Sequence, residues 1–470
     1  MDPISDLLQR AAEKHGARIA LSDGGDQSCT YEQLPPAVSA AAAWLRREIP
    51  RGPCLLLPGN SVDDVVLILG ALVSGLVPMI GDRAWSDHEV SEIIRCTGAS
   101  ALVSADATAD RRTFDNGEAR GVDRVSPSAD TADLSGVRFG RFTSGSSGTP
   151  RCLGFPIDAM LNSGEAWRSA AGLTDADTVV CLASLNNGLA FNTSLLPVFQ
   201  AGARLVLPKV RMIPSSLSNA IASLSPTVLV AFPFVYESLM ARNPVRFRTI
   251  RLAVSSAARL RPDTAEQWLD TQGTGICNYY GLAEVGPVTF NNGRVDASLG
   301  RALPGVEIEA EGTQAHPARL RVRTRSMALR YLDDRQPEFA ERIDADGFFR
   351  TQDNGYLVDG DLFVAGRVDQ IVNLAGRKID PGEVALVLRA HPAVTEVLVR
   401  GEDTESGPVL CAYVESATAS RQELVDHCRK TLAQFKIPQH WSIRPALPRS
   451  SAGKVLAGRL SMKGMATHDA

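Results

Sequence analysis

The segment with the clearest chemical character runs from Phe142 to Arg151, FTSGSSGTPR. Its hydroxyl side chains surround two glycines, and a cation ends the run. Glycine lets consecutive backbone N–H groups approach and line an anion, and Ser and Thr hydroxyls add further donors. The composition therefore predicts a phosphate-binding loop, with a Ser/Gly-rich surface turn as the alternative. The spacing differs from the G-x-x-x-x-G-K-[ST] loop of other nucleotide-binding proteins.

Two other segments carry side chains that would serve phosphate chemistry. In NYYGLAE, from Asn278 to Glu284, a tyrosine beside a glycine could stack on a flat base and the carboxylate could hold Mg²⁺. Lys454, in LPRSSAGKV, follows Gly and Ser residues near the C-terminus and could deliver a positive charge. Taken singly, these residues are more typical of a buried tyrosine, a solvated glutamate and a solvated tail lysine.

The composition is that of an average folded protein. The 470 residues are 44% hydrophobic and 22% charged, which argues against disordered, collagen-like and coiled-coil classes. At roughly 150 residues per folded unit, the length predicts about three lobes or two unequal domains. Lys and Arg number 49 and Asp and Glu 53, so the net charge of −4 gives no global basic field for nucleic acid or an anionic membrane.

The cysteines and the apolar runs bear on location. Eight scattered cysteines include no C-x-x-C pair and no Cys/His cluster with zinc spacing, which is typical of reduced thiols in a cytoplasmic protein. The N-terminus lacks an apolar core of signal-peptide length. The longest apolar run, Val65 to Ile80, is interrupted by two glycines and a proline. It is too short to span a bilayer and predicts a buried helix followed by a strand.

The elements that must position these residues follow from periodicity. Over the first two-thirds of the chain, short apolar strands alternate with helical segments, which indicates βαβ units, parallel sheets and an α/β fold. After about residue 297 the pattern predicts antiparallel hairpins closed by Asp-Gly and Asn-Gly turns, as in GFFRTQDNGYLVDGDLFVAGR. From about Val368 onward, helix and strand patterns predict a small α+β domain with its own core.

Together, and in this order, the segments resemble motifs of the adenylate-forming superfamily, which comprises acyl- and aryl-CoA synthetases, adenylation domains of peptide synthetases, and luciferases. FTSGSSGTPR resembles the family's phosphate loop, NYYGLAE its Y-G-x-T-E motif, and LPRSSAGKV its C-terminal lysine motif. TQDNGYL resembles T-G-D, and GRVDQIVNLAGRKIDPGEVALVL resembles the segment that joins the family's two domains. The similarity runs from residue 30 to Leu460 and covers nearly the whole chain.

The resemblance has three departures. Arg151 stands where the family usually has lysine, Ala283 replaces a common threonine, and Gln352 replaces glycine. Ala283 removes a hydroxyl that usually lies near the α-phosphate, and Gln352 crowds its position, so either change could lower activity. The neighbouring acids Glu284 and Asp353 are present, and the resemblance implies an active enzyme.

The resemblance implies a two-domain architecture and a two-step reaction. A large multi-sheet domain of αβαβα layers plus a small β-barrel-like part would span residues 1–367, and a small mobile α+β domain residues 368–470. An acid carboxylate would attack the α-phosphate of ATP and release pyrophosphate. A pantetheine thiol, of CoA or of a phosphopantetheine carrier protein, would then displace AMP and give a thioester. Mg²⁺ would assist, and donors and cations should cluster on the phosphates.

The resemblance also assigns roles to residues of the larger domain. Tyr280 and Gly281 would face adenine, and Glu284 would hold Mg²⁺ and act in catalysis. The backbone at Ser256, Ala257 and Ala258 would lie beside the adenine. The phosphates would be cradled by Thr143, Ser144, Gly145, Ser146, Ser147, Gly148, Thr149 and the catalytic Arg151.

Further roles fall near the domain junction and beyond it. Asp353 would accept both ribose hydroxyls, with Arg367 beside the ribose. Lys454 would contact the attacking carboxylate and the α-phosphate, and it is the strongest catalytic candidate. The hinge would lie at Asp369, and the pantetheine tunnel would be lined near Gly376 and Arg377.

The acid pocket is assigned to the stretch ASLNNGLAFNTSLLPVFQAG, residues 183–202, with Asn187 and Phe232 as its candidate residues. Asn187 takes the place where many acyl-CoA synthetases have His and aryl-acid-activating relatives have Asn. No aspartate lies between Ala183 and Ala201 to pair with the ammonium group of an α-amino acid, and a buried unpaired charge is costly. An aryl or apolar acid is therefore favoured. Asn187 either hydrogen-bonds a ring substituent or only supports the loop.

Three alternatives remain open at the level of sequence. The thiol could belong to CoA or to a separate carrier protein, since no carrier domain is visible downstream of Leu460. The adenylate could instead pass to an amine or another nucleophile. A non-catalytic nucleotide-binding relative is the third alternative, although such a protein would have no need of Lys454.

Overall fold

The computed structural model describes most of the chain, and every structural statement concerns the described residues. These are residues 2–49, 52–104, 121–124, 133–143, 151–209, 214–241, 244–256, 260–293, 298–332, 338–367, 372–374, 377–379, 381–404, 407–432, 434–450 and 453–461. No helix among them is long and apolar enough to cross a membrane.

The chain divides into two compact units. The first comprises residues 1–145, 149–307 and 322–349, and the second comprises mainly residues 308–321 and 350–470. The larger unit is mixed α/β and the smaller is α+β, which confirms the predicted fold class. The domain boundary expected at residue 367 stays a prediction.

The first unit contains eleven described α-helices and a short π-helix, Phe191–Leu195, between two of them. The helices are α1 (Pro3–His15), α2 (Leu34–Glu48), α3 (Val62–Ser74), α4 (Asp87–Thr97), α5 (Ile157–Ala170), α6 (Gly188–Ala190), α7 (Leu196–Ala201), α8 (Pro214–Leu224), α9 (Pro233–Met240), α10 (Pro262–Gln272) and α11 (Glu338–Glu341). The second unit contains α12 (Pro381–Arg389) and α13 (Arg421–Arg429), with 3₁₀ turns at Gln434–Lys436 and Ala457–Arg459.

The longest apolar run forms the buried helix and strand that the sequence predicts. Helix α3 begins at a capping box, in which the Ser61 hydroxyl and the Asp64 carboxylate satisfy each other's backbone N–H groups. It ends at Gly75, whose φ of 86° closes the helix in the left-handed conformation. Strand β4 (Val77–Ile80) follows directly.

A nine-stranded sheet forms one half of the first unit. Its central strands β1, β10, β9, β11, β12 and β13 are parallel, as predicted, and antiparallel strands add at both ends. The order across the sheet is β15 (Arg301–Ala302), β14 (Gly286–Phe290), β13 (Ile276–Leu282), β12 (Leu252–Ser255), β11 (Val228–Ala231), β9 (Thr178–Cys181), β10 (Arg204–Val206), β1 (Ile19–Ser22) and β2 (Ser28–Thr30).

A seven-stranded sheet forms the other half. Strands β3, β4, β5 and β7 run parallel, and β6, β8 and β18 pair antiparallel. The order is β18 (Arg330–Tyr331), β8 (Cys152–Phe155), β7 (Phe139–Phe142), β4, β3 (Pro53–Leu57), β5 (Ala101–Ser104) and β6 (Gly121–Arg124). Strands β7 and β8 form the hairpin whose loop carries the predicted phosphate site.

The second unit contains antiparallel strand pairs and one parallel pair, β24 with β25. It holds most of a four-stranded sheet, β16 (Val306–Glu309), β17 (Ala318–Thr324), β19 (Phe349–Val358) and β20 (Asp361–Arg367). It also holds the pair β21 (Val372–Leu374) and β22 (Arg377–Ile379), and the sheet β23 (Glu396–Thr404), β24 (Gly407–Glu415) and β25 (His440–Arg444). Helices α12 and α13 pack on the last sheet around a separate apolar core.

The sequence predicts an Asp-Gly turn and an Asn-Gly turn in this region, and only the Asp-Gly turn is present. Asp359 and Gly360 both have positive φ and close the β19–β20 hairpin. The Asn354-Gly355 pair lies inside β19, where the register shifts, so the Asn-Gly turn expected there is wrong. A side chain at Gly355 would come within 2.3 Å of the Phe363 carbonyl oxygen, so glycine is required by close strand approach instead.

Candidate active site

Four parallel strands of the nine-stranded sheet end beside the segments singled out in the sequence. Strand β9 leads into residues 183–187, β11 into Phe232, and β12 into Ser256, while β13 carries Tyr280 near its end. Because the carboxyl ends of parallel strands share one edge of a sheet, this edge gathers the candidate acid-pocket and adenine residues. Phe232 is buried at the start of α9, and Ser256 and Tyr280 are half-buried.

The predicted phosphate loop closes the β7–β8 hairpin of the other sheet. The backbone N–H of Thr143 donates to the carbonyl of Arg151 at 2.9 Å, and the N–H of Arg151 donates to the Thr143 hydroxyl oxygen at 3.2 Å. These bonds hold the first and last predicted residues of the loop together. The predicted site residues outside the described part of the chain are Ser144, Gly145, Ser146, Ser147, Gly148, Thr149, Ala257, Ala258, Asp369 and Gly376.

A chain of contacts joins Arg151 to Glu284. The Arg151 guanidinium lies 3.7 Å from the ring centre of Tyr331, and its Nη1 pairs with Glu338 at 2.7 Å. The Tyr331 hydroxyl donates to Glu284 Oε1 at 2.9 Å. Arg342 Nη1 lies 3.7 Å from the same oxygen. The cation that ends the phosphate loop and the carboxylate predicted to hold Mg²⁺ are thus linked through a single tyrosine.

Tyr331 is held in this place by the sheet and stays protonated. It lies on β18, opposite Leu153 of β8, just past Arg151. Burial raises the pKa of Tyr331 well above its ordinary range, the Glu284 carboxylate raises it further, and Arg342 and Arg151 lower it. The hydroxyl is therefore a proton donor to Glu284 at all ordinary pH values. No motif in the sequence pointed to Tyr331, because only the fold brings β18 beside β8.

Glu284 lies in the turn of the β13–β14 hairpin. The strands approach so closely that a side chain at Gly281 would come within 2.7 Å of the Gly286 carbonyl oxygen. Glu284 Oε2 makes no hydrogen bond with another described residue. Among the described residues, no group of three or more His, Cys, Asp or Glu side chains could hold a metal ion unaided. One carboxylate with an open oxygen suits Mg²⁺, which is commonly bound by one or two carboxylates and substrate phosphates.

The acid-pocket stretch is a helix with a π-helical turn in its middle, residues 188–201. Asn187 caps it, since its Oδ1 accepts the N–H of Leu189 at 2.9 Å. Asn60 fixes the preceding segment by hydrogen bonds to the carbonyl of Ala183 and the N–H of Leu185, both at 2.9 Å. The amide oxygen of Asn187 thus supports the loop. Its nitrogen makes no hydrogen bond to another described residue.

Arg141 is a buried cation on β7 that the sequence analysis did not single out. Its Nη1 donates to Asn192 Oδ1 at 3.2 Å, and Asn192 Nδ2 donates to the Tyr279 hydroxyl oxygen at 3.0 Å. Burial raises the pKa of Tyr279 to about 12, and the hydrogen bond to Asn192 and the charge of Arg141 oppose that rise. The available signal was a lone arginine in the apolar strand FGRF, directly before the phosphate loop.

The second unit brings three predicted residues into electrostatic range of each other. Asp353 of β19 pairs in register with Arg367 of β20, and Arg367 Nε lies 4.0 Å from Asp353 Oδ1. The surrounding protein lowers the pKa of Lys454 by desolvation, Arg367 lowers it further, and Asp353 raises it. The side chain of Lys454 nevertheless keeps more than a third of its surface exposed.

The backbone around Lys454 forms a tight turn. The N–H of Ser450 donates to the Lys454 carbonyl at 2.8 Å, and Gly453 has a φ of 77° that favours glycine. Gln352, expected to crowd its position, accepts a 3.4 Å hydrogen bond from Arg319 and is half-exposed. The backbone of Arg377 lies in β22, and its side chain is outside the described part.

Known protein families and individual proteins match most of this chain. Residues 8–332 match the AMP-binding enzyme family, and residues 383–454 match the AMP-binding enzyme C-terminal domain. An uncharacterized acyl-CoA ligase, YhfT, of Bacillus subtilis is 25% identical over 97% of both chains. The present chain also shares its fold with solved structures.

Two of these structures contain nucleotide. ATP-bound MatB from Rhodopseudomonas palustris superimposes with a TM-score of 0.81 at 20% identity, over 97% of both chains. O-succinylbenzoate coenzyme A synthetase from Bacillus subtilis, in complex with AMP, superimposes with a TM-score of 0.80 at 21% identity, also over 97% of both. Since its two matched regions cover most of the sequence, this chain belongs to the family of AMP-binding enzymes, and the predicted activity, that of an AMP-forming acid–thiol ligase using ATP and Mg²⁺, is confirmed.

Proposed function

We propose that this enzyme joins a carboxylic acid without an α-ammonium group to the thiol of CoA, using the residues assigned above. The observation that carries the proposal is the contact chain from Arg151 through Tyr331 to Glu284 at the base of the phosphate loop. It gives one cation and one carboxylate fixed positions relative to each other. Phosphoryl transfer depends mainly on such positioning and on charge stabilisation.

In the first half-reaction, a carboxylate oxygen of the acid bonds to the α-phosphorus of ATP. The bond to the bridging oxygen breaks, and pyrophosphate leaves. Arg151, Thr143 and the loop N–H groups stabilise the charge on the phosphoryl oxygens. Glu284 Oε2 would ligate Mg²⁺, which supplies charge neutralisation on the phosphates when bound. Lys454 brings a cation to the attacking carboxylate and the α-phosphate.

The resemblance supplies the roles of the nucleoside-binding residues in this proposal. Tyr280 stacks on adenine beside the backbone at Ser256, and Asp353 accepts the ribose hydroxyls with Arg367 beside it. The neighbouring register positions of Asp353 and Arg367 support a shared role. In the second half-reaction the thiol sulfur attacks the acyl carbon, its proton leaves to solvent, and AMP departs.

The acid has an aryl or apolar skeleton in this proposal. Phe191 lies in the stretch assigned to the pocket, Phe232 is a second candidate pocket residue, and both are buried. A buried arginine hydrogen-bonded to Asn192 would repel the ammonium group of an amino acid, which reinforces the absence of a pocket aspartate. Asn187 has an amide nitrogen that can donate to a ring substituent.

The proposal also covers the thiol acceptor and the domain that moves between the two half-reactions. We assign the mobile domain to residues 368–470, with its hinge at Asp369 and the pantetheine tunnel near Gly376 and Arg377. CoA is the acceptor, and a phosphopantetheine carrier protein is the alternative that the acceptor assay distinguishes. We also place the enzyme in the cytoplasm, because its eight cysteines form no disulfide and seven are buried.

The test separates the two half-reactions. Lys454→Ala is expected to abolish acid-dependent exchange of pyrophosphate into ATP while largely sparing thioester formation from supplied acyl-adenylate. Lys436→Ala is the matched control, since Lys436 pairs with Glu383 in the same unit and has no role in the site. Mass spectrometry with CoA or with a carrier protein identifies the product. Equal loss of both half-reactions in Lys454→Ala would contradict the assigned role.

A further inference from the structure

The strongest unassigned feature is the charge of Arg141. Only 8% of its surface is exposed, and it lies on β7 directly before the segment Phe142 to Arg151. Its guanidinium carbon is 4.7 Å from the ring centre of Phe191, and Nη1 donates to Asn192. Its Nε is buried without a hydrogen-bond partner. No described carboxylate forms an ion pair with it.

This charge persists in the folded protein. Burial lowers the pKa of Arg141 to about 10, and the Tyr279 hydroxyl raises it. The guanidinium is therefore still protonated at neutral pH. A buried charge without a counter-ion is destabilising, and proteins usually pair it with an opposite charge. No described carboxylate supplies that charge, and the carboxylate of a ligand would supply it.

The guanidinium presents the right edge for a carboxylate. Nη1 is occupied by Asn192, whereas Nε has no partner and no hydrogen bond from Nη2 to a described residue is present. The Nε–Nη2 edge of arginine binds the two oxygens of a carboxylate in parallel. A side chain at Gly188 would come within 2.8 Å of Nη2, so glycine there leaves this edge uncovered.

A small cavity adjoins the side chain. Its polar lining residues are Arg141, Asn192, Ser163 and Ser326, and none of its ten lining residues is acidic. Its interior admits the centre of about one water molecule, a volume of about 10 Å³. A water satisfies one hydrogen bond but leaves the charge unneutralised. A carboxylate is larger, so its entry requires Arg141 or Asn192 to change rotamer.

The location of Arg141 connects it with the acid. Asn192 belongs to the stretch assigned to the acid pocket, Tyr279 precedes the proposed adenine-stacking Tyr280, and β7 leads into the phosphate loop. An acid whose reacting carboxylate faces the α-phosphate would therefore extend towards Arg141. The reacting carboxylate must stay with the phosphates, so a second group reaches the arginine.

We propose that Arg141 binds a second carboxylate of the acid substrate, so that the enzyme activates a dicarboxylic acid with an apolar or aryl skeleton. The inference rests on the proposed function, because it requires the first carboxylate to be adenylated. Asn192 then positions the guanidinium, and Tyr279 positions Asn192.

The test compares matched acids on the wild-type enzyme and its variants. Short dicarboxylic acids and benzene dicarboxylic acids are each paired with their monomethyl esters in the pyrophosphate exchange assay. A charge-assisted bidentate contact predicts that wild-type kcat/KM is about 100-fold higher for the diacid of the best pair. Arg141→Met is expected to remove that ratio, and Arg141→Lys, which keeps the charge without the fork, to retain a part of it.

Controls and a second readout separate this role from a structural one. Arg138→Met removes a neighbouring arginine that pairs with Asp2, and it is expected to keep both the activity and the ratio. Binding of the diacid should also raise the thermal unfolding midpoint of wild type and not of Arg141→Met. If Arg141→Met does not fold, the comparison of the diacid with its monomethyl ester on the wild-type enzyme still tests the proposal.

The outcomes distinguish the two levels of the argument. A wild-type enzyme that activates the monoester as well as the diacid would overturn this inference and leave the proposed function standing. An unchanged ratio in Arg141→Met would also overturn it. Exchange with no acid of any class would overturn the proposed function, and the inference with it.

Discussion

The two arginines of the β7–β8 hairpin are only ten positions apart and are treated in opposite ways by the fold. Arg151 has 32% of its side chain exposed, pairs with Glu338 and lies over Tyr331, whose hydroxyl reaches Glu284. Arg141 is buried, lies against Phe191 and has an amide as its hydrogen-bond partner. The protein itself balances the first charge and leaves the second without a counter-ion among the described residues.

This difference separates two tasks. The phosphates of ATP bind in every catalytic cycle, whatever the acid substrate. A cation that binds them can therefore be partly exposed and paired with a carboxylate of the protein. A buried cation is expensive to keep, and it discriminates strongly because a ligand without a matching charge leaves it unpaired. We therefore propose that Arg151 serves ATP binding and Arg141 serves acid selection.

The largest expected effect tests the Arg151 side. Glu284→Gln keeps an oxygen for the Tyr331 hydroxyl but removes the charge that would hold Mg²⁺. Exchange is expected to fall by about 100-fold or more, with a higher Mg²⁺ concentration needed for half-maximal rate, for diacid and monoester alike. Titration of Mg²⁺ at saturating ATP measures this. Full Mg²⁺-dependent turnover in the variant would show that Glu284 has no role in Mg²⁺ binding.

A smaller effect tests the link between Arg151 and Glu284. Tyr331→Phe keeps the ring beneath Arg151 and removes only the hydrogen bond to Glu284. A hydrogen bond to a charged group contributes about 1.5–3 kcal/mol, so kcat/KM for ATP is expected to fall about 10- to 150-fold. The Tyr331→Leu variant, which also removes the ring, should lose more. No loss in Tyr331→Phe together with a loss in Tyr331→Leu would assign the contribution to packing alone.

Acid selection by Arg141 is expected to depend on pH. Because its pKa lies at about 10, Arg141 is charged below that pH and loses its proton as pH rises through it. The ratio of kcat/KM for diacid over monoester should be constant below this range and fall above it. Taking the ratio cancels the titration of Lys454, which acts on both acids. A ratio that does not change up to the alkaline unfolding limit would contradict the assignment.

The smallest expected effect concerns the exposed partner of Arg151. Glu338→Gln removes an ion pair whose side chains are 32% and 50% exposed. Such pairs contribute about 0–1 kcal/mol, so the rate is expected to change less than about fivefold. Steady-state kinetics with saturating acid measures it. A large loss would mean that Glu338, and not Tyr331, sets the position of Arg151.

Much of the architecture follows from the sequence because local signals agree with the fold. The apolar run from Val65 begins within a capped buried helix and ends in a strand, and the parallel order of β9, β11, β12 and β13 places their carboxyl ends together. The Asn354-Gly355 pair does not form the expected turn, because its glycine is required where two strands approach closely. The residues of a local turn pattern do not show which residue of another strand lies next to them.

The site divides in the same way. Glu284, Arg151 and Lys454 stand in recognisable motifs, whereas Tyr331 gains its role only when β18 pairs with β8. Arg141 has no such motif, because a charge in a short strand is indistinguishable, in sequence, from one that points to solvent. Its partner Asn192 lies in the acid-pocket stretch, and only the fold brings it to β7.

The most direct test of this division of labour is one exchange experiment with three enzymes and two acids. Wild type, Arg141→Met and Arg151→Met are compared on the best diacid and its monomethyl ester. Arg151→Met should lower both rates and keep their ratio, whereas Arg141→Met should collapse the ratio by about 100-fold. If the two variants change the rates in the same proportions, the hairpin arginines share one role and the account is wrong.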